Sequence, residues 1–124
     1  MERVVGVGGI FFKAQDPVRL KAWYRDHLGL PADEHGETTF SSQSDPGGLL
    51  VWSAFPADTK YFEPSQSPFM INFRVKDLHA MLAQLRAAGA TVDEKVVDES
   101  YGKFGWVMDP EGNRIELWEP PASD

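Results

Sequence analysis

The side chains able to carry chemistry in this chain are few. Three histidines, His27, His35 and His79, are the first candidates for metal binding or proton transfer. Periodicity places His27 near the end of a helix beside Asp26, His35 in an Asp-Glu-His-Gly loop and His79 in the first turn of a second helix. None occupies an inward strand position, so the surface reading of each is favoured over a shared ion. No cysteine is present, which removes thiol nucleophiles and thiolate metal sites and leaves a reducing compartment, the cytoplasm, as the expected location. Gly6-Val7-Gly8-Gly9 lacks the third glycine of a dinucleotide-binding turn, and no phosphate loop or nucleophile elbow occurs. What remains is Glu116. Alternation along Arg114-Ile115-Glu116-Leu117-Trp118 puts Arg114, Glu116 and Trp118 on one strand face. A carboxylate among the rings of Phe11, Trp52 and Trp118 is desolvated, so its pKa rises and it suits proton abstraction beside a carbonyl, with Lys13 or Arg74 holding the oxyanion. The competing reading makes Glu116 the partner of Arg74 or Arg114 in a structural ion pair.

The elements that position these residues come from a pattern written twice. Ile10, Phe12 and Ala14 alternate with Gly9, Phe11 and Lys13 as in a half-buried strand. Asp16-Pro17 then caps a helix whose apolar stripe is Leu20, Trp23, Tyr24 and Leu28, with Gly29 as its stop. The same unit returns as Ile71, Phe73 and Val75, the cap Asp77, the stripe Leu78, Met81, Leu82 and Leu85, and Gly89. The offset from Ile10 to Ile71 is 61 residues, and the turn Asp45-Pro46-Gly47-Gly48 returns as Asp109-Pro110-Glu111-Gly112 at an offset of 64. Each half therefore reads strand, helix and three strands: an α+β fold of two βαβββ modules, the first over about 4–56 and the second over about 69–120. The linker, 57–68, with Pro56 just before it, runs through three prolines, Pro56, Pro64 and Pro68. Its Tyr61 and Phe62 are bulky for a spacer, which fits anchoring to the core and leaves a lid as the alternative.

Strand alternation turns Ile10/Phe12, Ile71/Phe73/Val75 and Ile115/Leu117 toward the helices. The opposite faces hold Phe11, Lys13, Met70, Asn72, Arg74, Glu116 and Trp118, with Trp52 joined to them by the repeat and Tyr101, Phe104 and Trp106 close before the final hairpin. Aromatic walls with a few polar groups are how small-molecule pockets are lined, and the same rings can instead close the cavity as plain core.

Twelve basic against 19 acidic side chains leave a net charge of −7, which repels phosphate backbones and anionic lipid. Neither nucleic acid nor a membrane is expected as a partner, and a cationic ligand is allowed. No targeting segment is read: the apolar run Val4 to Phe12 is too short for a membrane span.

Several segments together resemble the vicinal oxygen chelate superfamily, the glyoxalase, bleomycin-resistance and extradiol-dioxygenase group. They are Gly9 to Asp16, Trp23-Tyr24, Leu28-Gly29-Leu30, Asn72 to Asp77, and above all Asp109 to Leu117. The resemblance implies a curved mixed sheet of paired modules around a cavity, helices on the outer face, and homodimers. It also implies a divalent metal held by His, Glu or Gln on inner strand faces. The matching positions here are Gly9, Trp52, Met70 and Glu116, of which only Glu116 ligates a hard or borderline cation. The expectation is a protein with no metal and no cofactor that binds a small organic molecule through Phe11, Lys13, Trp52, Met70, Asn72, Arg74, Tyr101, Phe104, Trp106 and Trp118. The alternative is a glyoxalase-like lyase, isomerase or epimerase in which Glu116 is the general base or a residual metal ligand.

Overall fold

Two aspartates start the two helices. In the structure, a computed structural model that describes residues 2, 10, 12, 14–33, 37–41, 43, 47–48, 50–51 and 53–122, α1 spans Pro17–Leu28 and α2 spans Leu78–Ala87. Asp16 Oδ1 accepts from the Arg19 N–H at 3.1 Å and Asp77 Oδ1 from the Ala80 N–H at 3.0 Å, each satisfying a first-turn donor that the helix itself leaves unpaired. Gly29 ends α1 at φ 71°, a left-handed conformation that a residue without Cβ adopts freely.

The strands are β1 (Ile71–Arg74), β2 (Thr91–Val92), β3 (Val97–Glu99), β4 (Gly102–Met108) and β5 (Arg114–Glu119). They form one mixed sheet in the order β1-β5-β4-β2, with β3 also on β4; β1 runs parallel to β5 and the other pairs are antiparallel. β2 pairs with one end of β4 and β3 with the other, so the two make a single interrupted edge strand. Counted so, the second half runs strand, helix and three strands. Among the described residues no strand forms in the first half, and Gly9, Phe11, Lys13 and Trp52 lie outside the described residues.

One face of the sheet carries the core. Leu78, Leu82 and Leu85 of α2 meet Val107, Ile115 and Leu117, and Leu20 and Tyr24 of α1 join the same cluster. Gly105 lets α2 come close: a Cβ there would stand 3.0 Å from Leu82 Cδ1. Ile115 and Leu117 thus turn toward the helices as alternation predicts, and Phe73 and Val75 pack against the cluster. Ile10 and Phe12 do not: both are exposed, since neither sits in a paired strand whose pleat would fix its direction.

The turn between β4 and β5 is an anchor. Asp109 is buried; its Oδ1 accepts from the N–H groups of Glu111 and Asn113 at 2.8 and 2.9 Å, and its Oδ2 from Tyr24 Oη and Asn113 Nδ2, both at 2.8 Å. Burial, and then the Asp109 charge, push the Tyr24 phenol well above its usual pKa, so Tyr24 stays a donor. Glu111 reaches back to accept from the N–H groups of Gln15 and Asp16 at 2.7 and 3.0 Å. Among the described residues no helix is long and apolar enough to cross a membrane.

Candidate functional site

The other face of the sheet is built in rows. Register sets Asn72 of β1, Glu116 of β5 and Trp106 of β4 side by side, and in the next row Arg74, Trp118 and Phe104. Phe104 and Trp118 are stacked, their planes 4° apart and their centroids 6.2 Å apart, as cross-strand aromatic partners can be. Tyr101 packs at 5.6 Å from Phe104 and its carbonyl accepts from Trp118 Nε1 at 3.1 Å.

Glu116 is the centre of the first row. It is 6% exposed, and Tyr61 Oη donates to its Oε1 at 2.9 Å. Burial raises the Glu116 pKa above the ordinary carboxylate value, against the Tyr61 hydrogen bond, the Arg114 charge and a hydrogen bond from Asn72, all of which favour the ionised form. The Tyr61 phenol is raised too, by burial and then by the neighbouring Glu116 charge, so the proton of this pair belongs to the phenol oxygen while Glu116 is ionised.

Tyr61 comes from the segment joining the two halves. Its ring stacks on Phe55 at 5.5 Å and stands edge-on to Trp106 at 6.1 Å. Arg114 pins the segment from below: Nη1 donates to the Glu63 carbonyl, Nη2 lies 3.6 Å from Asp93 Oδ2, and the guanidinium lies 4.8 Å from the centre of the Trp106 ring. Ser67 Oγ donates to Asn113 Oδ1 at 2.6 Å and fastens the far end. The partner of Arg114 is therefore Asp93, and its effect on Glu116 is through charge. Trp106 Nε1 and Arg114 Nε are buried donors with no hydrogen-bond partner among the described residues.

A broad cleft opens over these rows. Met70, Asn72, Arg74, Tyr101, Phe104, Glu116 and Trp118 line it, together with Phe55, Tyr61 and Phe62; Trp106 is 3% exposed and lies beneath Tyr61 and Arg114 instead. Phe11, Lys13 and Trp52 fall outside the described residues. Sequence reasoning left Phe55 out of the site and kept a lid for Tyr61 and Phe62 only as the alternative to anchoring. The signal for Tyr61 and Phe62 was two large aromatic residues in a proline-rich connection, which says that they bury against something and not against what.

The glyoxalase-like domain family model matches residues 9–118. The chain belongs to this family. No curated protein sequence matches it. Solved structures with the same fold include TnmS3, described as an antibiotic binding protein, from a Streptomyces species, at 18% identity over 98% of this chain and 100% of that one with a TM-score of 0.64. A lactoylglutathione lyase from Agrobacterium tumefaciens aligns at 16% identity over 95% and 96% of the two chains, TM-score 0.58. A glyoxalase, bleomycin resistance and dioxygenase superfamily member from Sphaerobacter thermophilus aligns at 21% over 86% and 90%, TM-score 0.51.

A glyoxalase-like fold raises the question of a divalent metal, and the donor set here does not fit one. At the ligand positions that the superfamily resemblance implies, the sequence has glycine at 9, which offers no ligand, tryptophan at 52, with only an indole N–H, and Met70, a thioether that is poor for magnesium, zinc or iron(II). The fourth position, Glu116, spends its Oε1 on the Tyr61 hydroxyl. Among the described residues no three His, Asp or Glu side chains converge as a metal site.

Proposed function

We propose that this glyoxalase-like protein binds a small organic molecule in the cleft over the sheet, without a metal, and that binding is its task. The observation that carries this reading is the state of Glu116: the one position with a chelating side chain among those the resemblance implies is hydrogen-bonded to a phenol, beneath an aromatic cover. The shared fold with TnmS3, described as an antibiotic binding protein, supports sequestration as the form that binding takes. The absence of cysteine supports a cytoplasmic location, and the superfamily resemblance supports a homodimer.

The test is metal analysis of the purified protein together with a thermal-shift screen of cationic and neutral aromatics and small keto acids. Substoichiometric metal and a saturable rise in melting temperature with an aromatic compound are expected. Stoichiometric zinc, nickel, manganese or iron that is lost on Glu116→Ala overturns the reading.

One observation favours a second reading, a lyase, isomerase or epimerase. A carboxylate whose pKa is raised by burial, lining the same cleft as Arg74, is placed to move a proton at a carbon beside a carbonyl. Turnover of a keto acid from the same screen, abolished by Glu116→Gln with ligand binding intact, would select the enzyme.

A further inference from the structure

The way Tyr61 is held describes the molecule that can take its place. Its ring is stacked on Phe55 and edge-on to Trp106, and its hydroxyl donates to Glu116 Oε1 at 2.9 Å. Tyr61 belongs to a turn in the connecting segment and stays 38% exposed, so the ring is a cover over the site rather than part of the core. Beside the phenol oxygen is the Trp106 indole, near enough to favour ionisation of the phenol, yet its Nε1 is buried and makes no hydrogen bond among the described residues.

We infer that the Tyr61 slot is a subsite for a phenol: the ligand carries an aromatic ring with a hydroxyl, which displaces Tyr61, donates to Glu116 and accepts from Trp106 Nε1. The two polar groups at the end of the slot ask for different things, Glu116 for a donor and Trp106 for an acceptor. A hydroxyl supplies both on one atom, an ammonium group supplies only donors, and a bare ring supplies neither. Tyr61 itself meets the first demand and meets the second only by proximity: the Trp106 side chain acts on the phenol oxygen, yet Nε1 reaches no partner in hydrogen-bond geometry. A free phenol, not tied to the chain, can settle into that geometry. Leaving a buried polar group unpaired costs enough for a hydrogen-bonding site to reject the analogue that lacks the group by large factors.

This inference rests on the cleft being the binding site and names the chemistry of its ligand. Tyr61→Ala opens the slot, and p-cresol, toluene and benzylamine are titrated into it by thermal shift and by NMR. The expected result is binding of p-cresol at least about tenfold tighter than either toluene or benzylamine. Equal or tighter binding of toluene or of benzylamine overturns the inference. Should Tyr61→Ala not fold alone, p-cresol and not toluene is expected to restore a cooperative unfolding transition. Tyr61→Phe gives an independent reading: its cover lacks the bond to Glu116 and lifts more easily, so p-cresol is expected to bind it on the order of tenfold tighter than the wild type. Equal p-cresol binding by wild type and Tyr61→Phe, or no p-cresol binding by either Tyr61 variant, overturns the inference. Wild-type binding of other screen compounds, with no p-cresol preference in Tyr61→Ala, would sink the phenol slot and leave the small-molecule reading standing.

Discussion

At the scale of single residues, Glu116 sets the behaviour of the site, and its environment gives a pH dependence with a definite sign. Burial raises its folded-state pKa above the unfolded value, while the Tyr61 hydroxyl, the Arg114 charge and the Asn72 amide pull the other way without winning. The folded protein therefore binds this proton more tightly than the unfolded chain. The contribution to stability is complete below the unfolded carboxylate pKa and is lost as pH rises through the folded one. Glu116→Gln removes the titration and keeps an oxygen for Tyr61. Its unfolding free energy is expected to exceed that of the wild type at pH 7, by on the order of 1 kcal/mol or less because water in the open cleft screens part of the effect, with the difference shrinking toward pH 4. Urea unfolding of both proteins across that range checks it, and a difference that grows on acidification refutes it. The inward placement of Glu116 was legible from sequence because strand alternation and the repeat both point to it. Its partner was not: Tyr61 lies 55 residues earlier, in a segment without periodicity, and spacing does not encode where such a segment folds back.

At the scale of elements, the Asp-Pro-x-Gly motif reads from sequence as a turn and proves to be a joint. Asp109 holds its own hairpin through two backbone N–H groups and Asn113, and through Tyr24 it ties α1, in the first half, to the β4–β5 hairpin in the second. The capped helices and the turn were legible because each is written in a few neighbouring residues; the joint was not, since its two ends are 85 positions apart. The energetics follow from what each change leaves behind. Tyr24→Phe removes one donor and leaves the other partners of Asp109 in place, a cost of about 1–2 kcal/mol. Asp109→Ala strands the Tyr24 hydroxyl and two backbone donors and should cost about 3 kcal/mol or more. Because both changes break the same bond, the double variant is expected to cost less than the two single costs added, by a coupling of about 1 kcal/mol in chemical unfolding. Strict additivity would show that the hydroxyl and carboxylate do not bind each other in solution.

At the scale of the molecule, the apolar surface is uneven. Leu50 and Val51 are 64% and 72% exposed and Ile10 59%, all in the first half, whereas the core is built by α1, α2 and the sheet of the second half. Among the described residues β1 closes one end of the sheet with its outer edge unpaired. A protein keeps such apolar groups in water only at a cost, through exposed hydrocarbon. The homodimer proposed above would relieve that cost by covering the same patch on both partners, as a two-fold interface does. Sedimentation at micromolar concentration is expected to give twice the chain mass. Val51→Asp places a charge where apolar contact is needed and is expected to shift the equilibrium toward the single chain while the helical circular dichroism stays unchanged. A wild-type protein that sediments as one chain under these conditions would refute the dimer.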